Sequence, residues 1–303
     1  MVNGYIDFHV HPIEKLISPI ELIAEMDRSN VEKAVLLALD ISKDMLREKK
    51  IEKKFRQKLI DSMIWDIEST YQLALNILDV GRTENEYVAA LSKRYPDKFI
   101  GFGSINPRYG KKYVKKMFEK ILDLELKGIK IIPTLQFFDP SKSSGLEVLW
   151  KYAQDEDLII IYHTGCDPGP WEFMGLCKVG QPSKILKYIK SYETKVVLAH
   201  AGAYSSNKPG IWIGEALSLA NKYEHVWLDV AAVPDILHDE KTVELIKEFG
   251  LIDKILFGSD YPVIQGLDMY RTVKIIELSP LLSDKEKIKI LRDNALKILQ
   301  NHI

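Results

Sequence analysis

Leu158-Ile159-Ile160-Ile161-Tyr162-His163 is a short, almost unbroken apolar run rich in β-branched residues, ended by a histidine and by the Thr164-Gly165 step. Consecutive apolar positions at this length read as a strand covered on both faces, the kind found in parallel sheets. Working outward, Lys195-Val196-Val197-Leu198 repeats the pattern. Eight runs of this type are found, at 5–9, 34–39, 99–105, 128–132, 158–163, 195–200, 226–230 and 254–258. Helical patterns lie between them at 19–28, 85–94, 112–126, 146–155, 183–191, 211–223, 241–249 and 269–278. A last helix is expected over 284–299, with Ser283 and Glu286 forming a capping box. Eight βα repeats predict an α/β fold, a TIM-like (β/α)8 barrel.

The segment 41–80 breaks the rhythm. It is about twice the length of one crossover helix, and residues 43–58 are dense in Lys, Arg and Glu. It reads as a helical insertion after the second strand, placed to cover the barrel mouth or to meet another subunit. No Pro/Gly/Ser-rich linker divides the chain, so residues 1–303 are expected to form a single domain.

The chain has 303 residues, 46% apolar and 28% charged, which suits a sizeable buried core. Its 42 basic and 43 acidic residues give a net charge of −1, which argues against nucleic acid or an anionic membrane as partner. No apolar stretch has the length of a membrane span, and the first residues lack a signal-peptide pattern. Cys166 and Cys177 are too few for a disulfide framework and lack CxxC spacing, so a reducing, cytoplasmic setting is expected.

Four of the seven histidines fall at or beyond the C-terminal ends of expected strands, the face on which βα barrels build active sites. In Asp7-Phe8-His9-Val10-His11-Pro12, strand alternation puts Asp7, His9 and His11 on one face and Phe8 and Val10 on the other. Two imidazoles two residues apart on a strand can reach one ion. His163 and His200 end the fifth and sixth strands, and Gly258-Ser259-Asp260 brings a carboxylate past the eighth. Taken singly, each has a plain structural role open to it: a strand cap, a core hydrogen bond, or an N-cap at Asp260.

Together these elements resemble the amidohydrolase superfamily. Asp7-Phe8-His9-Val10-His11-Pro12, Gly128-Ile129-Lys130-Ile131-Ile132-Pro133, Ile161-Tyr162-His163-Thr164-Gly165, Leu198-Ala199-His200-Ala201-Gly202 and Phe257-Gly258-Ser259-Asp260-Tyr261-Pro262 resemble its amidohydrolase-related branch, which includes hydrolases and nonoxidative decarboxylases. The resemblance implies that His9, His11, His163 and Asp260 ligate a divalent metal, most often zinc. One ion is the default and a second is conceivable. It also implies that Asp260 accepts a proton from bound water, and that His200 ligates a second metal or stabilises developing charge on the substrate. Such a set suits metal-assisted hydrolysis.

Lys130 admits three roles: a carbamate bridging two metals, as in binuclear relatives; a partner for Asp7 or Asp229; or a binding group for an acidic substrate. The last two are preferred, because buried charges are normally paired. Arg108, in Ser104-Ile105-Asn106-Pro107-Arg108, could clamp a substrate carboxylate through two parallel hydrogen bonds. Gln136, Phe137, Phe138, Trp171, Glu172 and Phe173 fall on loops expected to overhang the mouth, with lid packing as their plainer role.

The leading expectation is a hydrolase that uses metal-activated water to cleave a C–N or C–O bond of a small carbonyl compound. The alternatives are a nonoxidative carboxy-lyase on the same scaffold, and a barrel that binds metal or ligand without turnover. The expected partner is a small molecule, of which a carboxylate is one candidate; assembly into a homo-oligomer is compatible with the insertion.

Overall fold

Each apolar run divides its side chains between two cores, and that division is what rolls the sheet up. The computed structural model describes residues 4–166, 169–204, 210–300 and 302. Its strands are β1 (Tyr5–Val10), β2 (Val31–Leu37), β3 (Phe99–Ser104), β4 (Gly128–Ile131), β5 (Ile159–His163), β6 (Val196–Ala199), β7 (Val226–Asp229) and β8 (Ile255–Leu256). All neighbours pair in parallel and in chain order. Ile160, Tyr162, Val196 and Leu198 pack outward with the helices. Ile159, Ile161, Val197 and Ala199 fill the interior with Phe8, Leu37 and Phe102. Burying both faces in this way is what the continuous apolar runs require.

The last segment meets the first and nearly closes the barrel. Phe8 N–H donates to Phe257 O, Asp260 N–H to His9 O, and His11 N–H to Tyr261 O, each at 2.9 Å. The C-terminal segment braces this seam. It runs through a helix at Asp284–Ile288, a wide π turn at Lys289–Asp293 and a helix at Asn294–Leu299. Phe257 N–H donates to Ile290 O inside that wide turn, and Asn294 Nδ2 donates to the carbonyls of Ile252 and Ile255 at 2.7 Å each. The expected capping box is present, with Ser283 and Glu286 bonded reciprocally.

The first crossover helix is α1 (Pro19–Arg28). The insertion forms three helices, α2 (Lys43–Arg47), α3 (Lys49–Asp61) and α4 (Ile67–Gly81), before the regular α5 (Asn85–Arg94). Phe55, Leu59, Tyr71, Leu75 and Leu78 of these helices pack on Leu39, Ile41, Ile132, Leu135 and Trp171. The insertion is therefore a roof fixed to the rim by its own apolar core. Asp79 of α4 also pairs with Lys15 at 2.8 Å and with Lys43 at 2.7 Å.

The helix expected over 284–299 is interrupted by the π turn at Lys289–Asp293, and two further details differ from the sequence reading. Cys166 and Cys177 pair as a disulfide with Cα atoms 4.9 Å apart. Their segments are drawn together by the Gly165 N–H to Gly180 O bond, a contact between loops that Cys spacing does not encode. The segment expected as one helix over 183–191 is a 3-10 turn, Pro182–Ile185, followed by a helix, Leu186–Ser191. Among the described residues, no helix is long and apolar enough to cross a membrane.

Candidate metal centre

The first strand does not keep the simple alternation expected of it. Its register with β2 shifts between Asp7 and Val10, so Phe8 packs in the barrel interior while the adjacent His9 also turns inward, towards Lys130 and Asp229. Asp7 fills the gap this leaves in the ladder, its Oδ1 accepting from His9 N–H and Ser259 N–H at 3.0 Å each. An irregularity of this kind re-aims a side chain at a barrel rim. Burial pushes the Asp7 carboxyl up to about 7, against the opposing pull of its bonds to Ser259 and His9.

His9, His11 and Asp260 come together. Asp260 Oδ1 lies 3.4 Å from His9 Nε2 and 3.2 Å from His11 Nε2. The potential ligand atoms of the three residues all lie within 4.8 Å of one another, and all three residues are buried. Burial pushes the Asp260 carboxyl up, but the hydrogen bond with His11 and the fields of His9 and His200 outweigh it and hold the group well below the usual carboxylate range. Asp260 and His200 both sit in the left-handed region, with φ of 60° and 62°. Non-glycine residues held there cost about 1–3 kcal/mol each and concentrate at functional sites.

Asp229, the last residue of β7, organises the rest. Its Oδ2 accepts from His9 Nδ1 at 2.9 Å, and its Oδ1 accepts from the backbone N–H groups of His200 and Ala231 at 2.8 and 3.1 Å. His9 therefore carries its proton on Nδ1 and offers a lone pair on Nε2, the carboxylate–histidine arrangement that supports metal ligation. His200 is fixed in the same manner, its Nδ1 donating to Ala231 O at 2.8 Å. Its Nε2 then accepts from His163 Nδ1 at 3.1 Å, which leaves His163 Nε2 as that ring's unprotonated nitrogen. Burial, reinforced by like charge at Lys130, holds His9 and His163 well below the ordinary imidazole range; burial also lowers His200. Neutral rings are the form that binds metal.

The residues present fit a divalent ion. Nitrogen and carboxylate donors converge, and the buried His11 Nδ1 has no hydrogen-bond partner. His163 stands on the same rim but outside the two tight groups, His9–His11–Asp260 and His9–His200–Asp229. Lys130 is fully buried and places Nζ 2.8 Å from His9 Nε2.

The ring opens into a cavity of about 380 Å³ whose lining includes His11, Lys130, His163, His200 and Asp260. Arg108, expected as a carboxylate clamp, is not part of that lining. Its guanidinium instead pairs with Glu48 through both terminal nitrogens and stacks against Tyr109. The aromatic residues expected over the mouth are also displaced: Trp171 packs on Phe55 of α3, and Phe137 lies in the roof's core. Gln136 is buried, its Oε1 accepting from Ile132 N–H. The walls come instead from Ile77 and Val80 of α4 and from Ile13, Leu16, Ile132 and Leu135. Sequence reasoning left Asp229 without this orienting role, although a carboxylate closing the run Val226-Trp227-Leu228 was the available signal.

A family model described as Amidohydrolase (Amidohydro_2) matches residues 76–300. The chain belongs to the amidohydrolase family. This enzyme family has metal-dependent hydrolase and decarboxylase members. The chain is 24% identical over 261 residues to a 2-amino-3-carboxymuconate-6-semialdehyde decarboxylase of Dictyostelium discoideum, covering 73% of this chain and 67% of that one. Its fold matches 5-carboxyvanillate decarboxylase LigW from Sphingomonas paucimobilis with a TM-score of 0.65 at 14% identity, over 99% of both chains. It also matches a dihydroxybenzoic acid decarboxylase from a Polaromonas species, solved with manganese and 2-nitroresorcinol, with a TM-score of 0.61 at 14% identity over 100% and 98% of the chains.

Proposed function

We propose that this amidohydrolase-family chain is a metal-dependent nonoxidative decarboxylase that removes CO2 from a small carboxylic acid. Hydrolysis, the leading expectation from sequence, gives way to the alternative reading, which the named relatives favour. The observation that carries the reading is the composition of the cavity, in which a buried lysine and three histidines form one end and aliphatic side chains form the walls. Loss of CO2 spreads and removes carboxylate charge, and surroundings of low polarity favour that change over the ionised acid.

His9, His11 and Asp260 would hold the ion, with His163 on the same rim proposed as its fourth ligand, and this donor set suits zinc, with manganese the ion bound in one relative. When bound, the ion supplies Lewis acidity towards the acid. Lys130 binds and orients the carboxylate. His200 lines the cavity with its Nδ1 held by Ala231 O, so its Nε2 is positioned to take up a proton from solvent and pass it to the carbon that loses the departing group. The C–C bond to the carboxylate breaks, CO2 leaves, and a C–H bond forms. Asp260, kept ionised, remains an anionic ligand. Residues 41–80 roof this single barrel domain.

The test is CO2 release from a panel of small carboxylic acids, measured with zinc- or manganese-loaded protein and with His200→Asn. CO2 and the protonated product in equal amounts, lost in the variant, are expected. Cleavage of esters, lactones or amides with no CO2 from any acid overturns the reading.

A further inference from the structure

The cavity walls carry more information than the reaction type. Apart from Tyr204, its titratable lining groups, His11, Lys130, His163, His200 and Asp260, all belong to the metal-centre end. The remaining surface is mostly aliphatic and includes Ile13 and Leu16 after β1, Ile77 and Val80 on α4, and Ile132 and Leu135 after β4. Among the described lining residues, Asn76 and Tyr204 are the polar uncharged side chains, and there is no arginine. The one arginine that sequence reasoning placed near the substrate is held by Glu48 outside the lining.

Resting on the decarboxylase reading, we propose that the substrate is a monocarboxylic acid whose uncharged body is largely hydrocarbon, with its carboxylate on Lys130 and an unsaturated group next to the carboxylate-bearing carbon that takes up the C–C bonding electrons until that carbon is protonated. A second carboxylate directed at the walls would sit unpaired against aliphatic carbon, and a buried charge without a partner is strongly disfavoured. Each methylene moved from water onto the walls strengthens binding about fourfold. Ile77, Val80 and Leu135 are the selecting residues. Two of them stand on α4, so the insertion after the second strand sets specificity as well as forming the roof.

The experiment is a calorimetric titration of the metal-loaded protein with butanoate, pentanoate and hexanoate and with the dicarboxylates succinate, glutarate and adipate. Affinity is expected to rise about fourfold per methylene along the first series, with each dicarboxylate at least tenfold weaker than the monocarboxylate of equal length. The variant Leu135→Arg, checked for native circular dichroism, is expected to reverse that order. Dicarboxylates binding as tightly as their partners, or a flat first series, overturn the proposal even if Leu135→Arg fails to fold. The two readings fail separately: the expected binding order without CO2 release leaves the apolar site standing and removes the decarboxylase, whereas CO2 release with a preference for dicarboxylates does the opposite.

Discussion

Lys130 Nζ donates to His9 Nε2 across 2.8 Å, occupying the lone pair that a metal ion would need. One lone pair serves one partner, so the ammonium and an ion compete for His9. Lys130 thus connects metal loading to acid binding. The sequence placed a lysine between two isoleucines, and β4 explains the pattern: Ile129 and Ile131 pack outward while Lys130 points into the barrel.

Replacing Lys130 by Met removes the competitor and a positive charge beside the ion. Metal affinity, measured by competition with a chelating dye, is expected to rise about tenfold, which corresponds to roughly 1.4 kcal/mol. Hexanoate affinity should fall in the same variant. A loss of metal affinity would show that the lysine supports the ion and does not compete with it.

Asp229→Asn tests the orienting carboxylate. The amide can still accept from His200 N–H, but its NH2 group then faces His9 Nδ1 and favours the wrong tautomer. Equilibrium dialysis should show metal affinity lowered about 10–100-fold with the fold intact by circular dichroism. Unchanged affinity would mean that His9 does not need this partner.

These two residues also show where the sequence was legible. Strands ended by histidine betray themselves because a parallel strand must be apolar on both faces, so His163 and His200 stand out against their runs. The eight strands and the roofing insertion were readable for the same reason. Local patterns failed wherever a distant contact decided the outcome. The register shift that turns both Phe8 and His9 inward depends on pairing with β2. Arg108 is drawn from the mouth by Glu48, sixty positions earlier in the chain. Trp171 is taken up by Phe55 of a helix whose docking the loop sequence does not reveal.

Gly258 lies directly behind His9, the first of the proposed metal ligands. A Cβ built there would stand 2.7 Å from His9 Cβ and 3.0 Å from Ala231 Cβ, closer than side chains tolerate. Gly258→Ala should therefore displace His9, lowering stability by about 1–3 kcal/mol in denaturant unfolding and reducing the metal bound per chain. Full metal content with unchanged stability would show that the seam between β8 and β1 yields freely.

Acid should loosen the roof before it reaches the barrel. Asp79 lies on the helix that supplies Ile77 and Val80, and its hydrogen bonds to Lys15 and Lys43 pull its carboxyl down to about 2. The ordinary value is about 4. A carboxylate depressed on folding stabilises the native state above its unfolded pKa, and that contribution is lost as pH falls through the folded value. Between about pH 4 and about pH 2 the unfolded chain binds the extra proton, so the loss falls in that window. The Asp79 side chain is 38% exposed, so solvent and salt screen these pairs and the effect is small. The Tm difference between the wild type and Asp79→Asn, followed in low salt, is expected to hold steady from about pH 7 to about pH 5 and then to shrink on acidification. Proteolysis within residues 41–80 should accelerate over the same interval. A difference that grows on acidification would reverse the sign and place the latch elsewhere.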